Sequence, residues 1–271
     1  MVKGRVPNAP GPANPSRGGG RFPVSLERVA PTAAGGRVPD PRRLSTPLAE
    51  ATAVAGVGLD SAAVRQAMVR RLHATGVTHP AVLQAFGRIE RHRFVDSALA
   101  AQAYEDTALP IGWGQTISKP TVVARMLALL IEGRDVPVGR VLEIGTGCGY
   151  QAALLSCLCR EVYSIERVRG LHDKARQHLR PLRIPNLHLI LGDGTVGFAR
   201  GAPYAGIIAA AGGDDIPPAW LEQLAVGGRL VAPAQLRPGR QSLVVVERTA
   251  AGWQRRVLED VWFVPLKSGL E

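Results

Sequence analysis

The chain has 271 residues, of which 46% are hydrophobic, enough for one large or two small packed domains. No apolar run reaches the ~18–20 uncharged residues of a membrane-spanning helix, so no membrane span is expected. A net charge of +11 favours association with anionic partners without bearing on the fold, and an arginine-rich proteome accounts for it equally well. The three cysteines, Cys148, Cys157 and Cys159, are an odd and low count for a disulfide framework. Cys157-Leu158-Cys159 also lacks the paired spacing of a zinc site. Buried inert thiols, no metal and a cytoplasmic setting are therefore expected.

In chain order, residues 1–58 hold nine prolines, nine glycines and eight Lys/Arg without sustained periodicity. Such a segment builds neither a helix nor a central strand, and a disordered basic extension is predicted. It has no continuous apolar stretch behind the charged start, so a secretory signal is not expected. Order is predicted from Asp60, a good helix cap, giving a folded domain over 59–271. Val64, Ala67, Met68, Arg71 and Leu72 follow at helical spacing. A second helix opens at Pro80 and a short third is predicted over 98–104. Residues 108–120 read as a loop, and 121–131 as a helix ended by Gly133.

From there the pattern alternates. Strands are predicted over 140–144, 161–165, 187–191, 204–210 and 228–233, with helices over 150–158, 170–182 and 218–224. This alternation points to a parallel α/β sheet. Two β-rich runs, 242–249 and 258–264, separated by Ala250-Ala251-Gly252-Trp253, predict an antiparallel hairpin at one sheet edge. Helices and a loop over 59–135 thus precede a sheet over 136–271.

The run from Val141 through Ile144 into Gly145-Thr146-Gly147-Cys148-Gly149 places three alternate glycines between a strand and a helix. There the backbone turns sharply and approaches a ligand closely. The helix behind it aims N–H groups at that ligand. Glu166, 21 positions after Gly145, ends the next strand, where a carboxylate accepts hydrogen bonds from ribose hydroxyls. The sixth position of a dinucleotide fingerprint is Tyr150, and Glu143 beside the loop would repel a pyrophosphate. Both features argue against a nicotinamide dehydrogenase. They favour a cationic, amino-bearing nucleoside such as S-adenosylmethionine, which Glu143 would reach directly or through water. Asp193 and Gly194 end the third strand, where they would meet an adenine edge or form an ordinary Asp-Gly turn. Ser118 precedes a helix without a His/Asp partner pattern, and as a bare residue it reads as a helix cap.

The segments Phe94-Val95-Asp96, Ala108-Leu109-Pro110-Ile111-Gly112, Gly114-Gln115-Thr116-Ile117-Ser118, Ser164-Ile165-Glu166-Arg167, Gly192-Asp193-Gly194 and Phe263-Val264-Pro265-Leu266, together with the glycine loop, occur in an order that resembles the protein-L-isoaspartate (D-aspartate) O-methyltransferase family. The resemblance covers residues 60–270. It implies a Rossmann-like, S-adenosylmethionine-dependent methyltransferase fold, with S-adenosylhomocysteine as product. Isoaspartyl-containing proteins and peptides are the implied partners, with no nucleic acid or membrane and a monomeric state.

The resemblance also assigns site residues. Ser118 matches the active-site serine, with Thr116 and Ile117 beside it in the acceptor loop. Gly145, Thr146, Gly147 and Gly149 match the cofactor loop, which Glu143 joins by the charge argument above, Glu166 with Arg167 match the ribose end, and Asp193 with Gly194 the adenine contact. Val264 and Leu266 match a C-terminal strand that holds the substrate backbone. Tyr204-Ala205-Gly206-Ile207 departs from the family's Phe-Asp-Ala-Ile type of run. That departure leaves a degenerate, cofactor-binding interaction protein as the alternative. A nucleic-acid methyltransferase is the other rival. It lacks support because 210–215 holds no Asn/Asp-Pro-Pro-aromatic motif for a flipped base.

Overall fold

The structure is a computed structural model that describes residues 62–271. The Gly/Pro-rich segment 1–58 and the expected cap Asp60 lie outside the described residues. Helix α1 (Ala62–Ala74) leads to α2 (Pro80–Arg88), entered through His79, whose Nδ1 accepts the Ala81 N–H at 3.3 Å. Met68 and Leu72 of α1 and Val82, Ala85 and Phe86 of α2 are buried. The helix expected over 98–104 is instead a 3-10 segment, Ser97–Gln102, preceded by another at Arg91–Phe94. No residue of Ser97–Gln102 is buried, so no apolar face stabilises a longer α-helix there.

The expected loop 108–120 is a correction. Strands β1 (Leu109–Gly112) and β2 (Gln115–Ile117) pair antiparallel in a small hairpin. Gly112, Trp113 and Gly114 reverse the chain with φ of 97°, 51° and 68°. Strands of four and three residues are too short to show a period of two, and Pro110 and the glycines disguise them further. Helix α3 (Pro120–Ile131) follows, with eight of its twelve residues buried.

The main sheet has seven strands: β3 (Val138–Ile144), β4 (Cys159–Glu166), β5 (Leu187–Leu191), β6 (Tyr204–Ala209), β7 (Leu224–Arg237), β8 (Arg240–Thr249) and β9 (Gly252–Val261). They lie in the order β5-β4-β3-β6-β7-β8-β9. The first five are parallel, and β8 and β9 add antiparallel to the β7 edge, as expected for the C-terminal part. The second arm of that hairpin begins at Gly252 rather than at 258, and it ends before Val264. Its side chains are mostly exposed, among them Arg255, Arg256, Glu259 and Asp260. A charged edge strand hides from hydrophobic patterning and resists pairing with other chains.

Helices α4 (Tyr150–Leu158), α5 (Arg169–Leu179) and α6 (Pro218–Gln223) complete the α/β units. Successive strand side chains enter opposite layers. Val141, Val162, Ile208 and Val231 join the core formed with α1 to α5, so the N-terminal helices and the sheet share one interior. Leu142, Ile144, Ile165, Ile207 and Leu230 pack on the other face with Trp220 of α6.

Candidate active site

The strand order reverses at β3, whose neighbours are β4 on one side and β6 on the other. In open α/β sheets the crevice beyond the carboxyl ends at such a switch point receives ligands. A cleft lies there, bounded by the ends of β3, β4 and β6, the start of α5, the β1–β2 hairpin and the segment 264–267.

The glycine loop forms its floor. Gly145, Gly147 and Gly149 have φ of 89°, 56° and 91°, a region L side chains rarely occupy. The Gly145 and Thr146 N–H groups donate to the Ile165 carbonyl at 2.9 and 3.1 Å, tying the loop to β4. Glu166 at the end of β4 accepts the Gly147 N–H at 2.8 Å and the Val168 N–H at 3.0 Å, and its residue lines the cleft. Those two bonds fix the carboxylate beside the loop while each oxygen keeps acceptor capacity.

Glu143 is placed differently. Its register partner on β4 is Ser164, so both side chains project to the α4 face of the sheet. The Ser164 hydroxyl donates to Glu143 Oε2, and Thr146 Oγ1 lies 2.6 Å from Ser164 Oγ. Glu143 is 0% exposed and does not line the cleft. Burial pushes its carboxyl up to about 8, against the hydrogen bond from Ser164, and the charge of Glu166 adds to the rise. It reaches the glycine loop through Ser164 and Thr146.

At the end of β5, Gly194 lines the cleft while the Asp193 carboxylate turns aside. Its Oδ1 accepts the Thr195 N–H and hydroxyl at 2.8 and 2.6 Å, and its Oδ2 accepts the Gly269 N–H at 2.6 Å. Burial opposes ionisation of Asp193. The bonds from Gly269 and Thr195 and the Arg167 charge outweigh that, and the carboxyl sits below its ordinary value. Arg167 lines the cleft and donates to the Gly269 carbonyl at 3.0 Å and to the Glu271 carboxylate at 2.6 Å. Backbone bonds between Glu271 and both Arg167 and Arg169 complete a strap across the ends of β4 and β5.

The acceptor side is built from the hairpin and the segment before this strap. Gln115 and Thr116 of β2 line the cleft, as do Val264 and Leu266. The Gly212 N–H donates to the Val264 carbonyl at 2.9 Å, and the Leu266 N–H donates to the Gly212 carbonyl at 2.8 Å. The side-chain amide of Gln241 holds Phe263 from both directions, accepting its N–H at 2.7 Å and donating to its carbonyl at 3.2 Å. A Cβ at Gly212 would lie 2.7 Å from Gln241 Nε2, which explains glycine after β6.

Ile117 is buried in the core and is not part of the cleft lining. Ser118 is half-buried one residue beyond β2 and is not part of the cleft lining. It does not cap α3. The cap position is Lys119, and the Asp106 carboxylate accepts the Thr121 N–H at 2.9 Å and its hydroxyl at 2.8 Å. The bland reading of Ser118 thus fails. Reading the sequence missed Gln241 and Lys267: Gln241 has no local signal, whereas Lys267 directly follows the quoted Val264-Pro265-Leu266 run.

The departure in β6 lies away from the cleft. Ala205 and Gly206 sit in the first half of the strand, whereas Ala210 and Ala211 beyond its end line the cleft. A Cβ at Gly206 would meet Leu130 Cδ1 at 2.9 Å, so this glycine lets α3 pack closely on the sheet.

The residues present fit S-adenosylmethionine. Glu166 can accept ribose hydroxyls, Gly145 and Gly147 bare their backbone to the cleft, and Ile165, Val168 and Leu171 offer apolar walls for a base. No cluster of three metal-ligating side chains occurs among the described residues.

A family model described as protein-L-isoaspartate(D-aspartate) O-methyltransferase matches residues 63–271. A protein-L-isoaspartate O-methyltransferase of Methylibium petroleiphilum is 54% identical over 262 residues, 93% of this chain and 97% of the relative. One from Burkholderia mallei is 52% identical over 277 residues, covering 98% of this chain and 85% of the relative. Both alignments run into the segment before residue 63. Among solved structures, a protein-L-isoaspartate O-methyltransferase superposes with a TM-score of 0.69 at 29% identity, covering 76% of this chain and 67% of that one. A Plasmodium falciparum structure of that description, in complex with S-adenosyl-L-homocysteine, shares the fold with a TM-score of 0.67 at 22% identity, covering 75% and 98%. With 209 matched residues in the family model and relatives above 50% identity along nearly the whole chain, the protein belongs to the protein-L-isoaspartate (D-aspartate) O-methyltransferase family.

Proposed function

We propose that the chain methylates the free carboxylate of L-isoaspartyl and D-aspartyl residues in damaged proteins and peptides, with Ser118 orienting that carboxylate. As a member of this family it is a methyltransferase that uses S-adenosylmethionine. The observation that carries the reading is one shared cleft, with Glu166, Gly145 and Gly147 on one side and Thr116, Val264 and Leu266 on the other. Donor and acceptor meet in a single cavity.

S-adenosylmethionine supplies a methyl group activated by its sulfonium. The acceptor carboxyl has an ordinary value of about 4 and is ionised at neutral pH, so no general base is required. Among the described residues, neither His nor Asp lines the cleft. What remains for the protein is alignment, which can contribute on the order of 7–11 kcal/mol. Glu166 and the glycine loop hold the donor's ribose end. The backbone of 264–266, extended along Gly212, holds the acceptor peptide. One hydrogen bond from Ser118 steers the carboxylate without over-stabilising a charge that is lost in the transition state. Glu143 acts behind the loop, through Ser164 and Thr146.

The chain works as a cytoplasmic monomer without a nucleic-acid partner. Three free thiols support a reducing compartment, and among the described residues no helix is long and apolar enough to cross a membrane. Its active unit starts near residue 59. The deciding experiment compares methyl transfer to isoaspartyl and aspartyl versions of one peptide. Labelling of the isoaspartyl form alone is expected, and labelling of neither or of both equally would overturn the reading.

A further inference from the structure

Arg91 is 0% exposed, yet no carboxylate lies within ion-pair distance of it among the described residues. Its guanidinium bonds to backbone carbonyls instead. Nε donates to Ala103 at 2.8 Å, and Nη2 donates to Thr107 at 3.3 Å and to Ser118 at 2.8 Å. Nη1 has no partner, and the guanidinium carbon lies 5.1 Å over the Tyr150 ring.

Burying a cation without a contacting carboxylate is unfavourable, and an apolar residue of similar volume would serve the core better. The geometry shows what the arginine does there. Thr107 precedes β1 and Ser118 follows β2, so one rigid planar fork closes both ends of the hairpin. Tyr150 is the first residue of α4, directly behind the glycine loop. The same side chain therefore touches the acceptor hairpin and the helix that carries the donor loop. Asp106, through its bonds to Thr121, fastens the hairpin base to α3 nearby, which leaves Ser118 between two fastenings.

We propose that Arg91 is a positioning residue that closes the base of the β1–β2 hairpin and so sets Ser118 and Thr116 against the donor cleft. The kinetic half of this proposal rests on the role given to Ser118 above. The structural half does not.

The test uses the full chain with Arg91→Lys, which keeps the charge but cannot span three carbonyls, and Arg91→Met, which removes donors and buried charge together. Hydrogen–deuterium exchange is followed over 109–117 and, as reference, over α4 and β3 to β6. Exchange is expected to quicken in the hairpin alone. The kcat for an isoaspartyl peptide should fall by about 100-fold, with the dissociation constant for S-adenosylhomocysteine little changed. Unchanged hairpin exchange, exchange that quickens uniformly across the sheet, or failure of both variants to fold would make Arg91 structural only and overturn the proposal. Faster hairpin exchange with wild-type kcat would overturn the kinetic half. A wild-type enzyme that labels no isoaspartyl peptide would instead sink the functional reading, and the exchange result would stand apart from it.

Discussion

The sequence points to Glu143 by its charge and to Ser118 by likeness, and their surroundings separate their roles. Burial raises the Glu143 carboxyl from an ordinary 4.5 to about 8. Between those values the folded state holds a proton that the unfolded chain has released. Stability therefore falls as pH rises through that window and levels off above about 8. Glu143→Gln has no such proton to lose. Relative to wild type it should gain up to ~1.4 kcal/mol per pH unit across the window, read by urea denaturation of the cofactor-free protein. Parallel stability curves for the two proteins would refute a buried, protonated Glu143. Ser118 neither caps α3 nor joins the core, so Ser118→Ala should leave melting temperature and circular dichroism as they are. Turnover of an isoaspartyl peptide should drop by about 10- to 100-fold. A wild-type rate in that variant would remove Ser118 from the mechanism.

At the scale of elements, the cleft is a rigid floor covered by two shorter pieces, the hairpin and the strap. The floor was legible in the sequence because each part obeys a local rule. Strands buried on both faces read as apolar runs, and alternate glycines in a strand-to-helix turn need positive φ. The covers were not legible. The hairpin strands are too short for periodicity; away from the cleft, β9 is hidden as well, because an edge strand is polar. Arg91 and Gln241 act on backbone groups far away in sequence, at Ser118 and Phe263, which no window of neighbouring residues contains.

The strap makes its own prediction. Asp193 braces Thr195 with one oxygen and Gly269 with the other, so Asp193→Ala releases the strap as well as the turn after β5. Losing charge-assisted bonds of this kind should weaken S-adenosylhomocysteine binding by about 10- to 100-fold, measured calorimetrically, with a smaller effect on kcat at saturating donor. An unchanged dissociation constant would mean that the strap has no part in holding the nucleoside.

For the whole molecule, the net charge is shared between residues 1–58 and the family-matched part. Residues 1–58 carry eight Lys/Arg against three Asp/Glu, while the family match begins at residue 63. The cleft residues named above all lie among the described residues, 62–271. Removal of 1–58 should therefore leave kcat for a neutral isoaspartyl peptide intact. The extension's positive charge acts over about a Debye length, ~8–10 Å at physiological ionic strength, so its removal should flatten the salt dependence of kcat/KM for an acidic peptide. Kinetics at low and at physiological salt on both proteins test this. A large loss of kcat on truncation would show that the extension takes part in the active fold.

Trp113 at the hairpin tip is 53% exposed, and its ring lies where a Cβ on Gly170 would be, within 2.2 Å. The hairpin therefore carries its own fluorophore, seated on the first turn of α5. If the hairpin were to lift, the indole would leave that seat for water and its emission would shift to the red. Subtracting the spectrum of Trp113→Phe removes the signal of the other three tryptophans. Stopped flow with donor and acceptor added in either order then tests, in the unlabelled enzyme, whether the hairpin moves on binding: an unchanged Trp113 signal would mean that it stays seated.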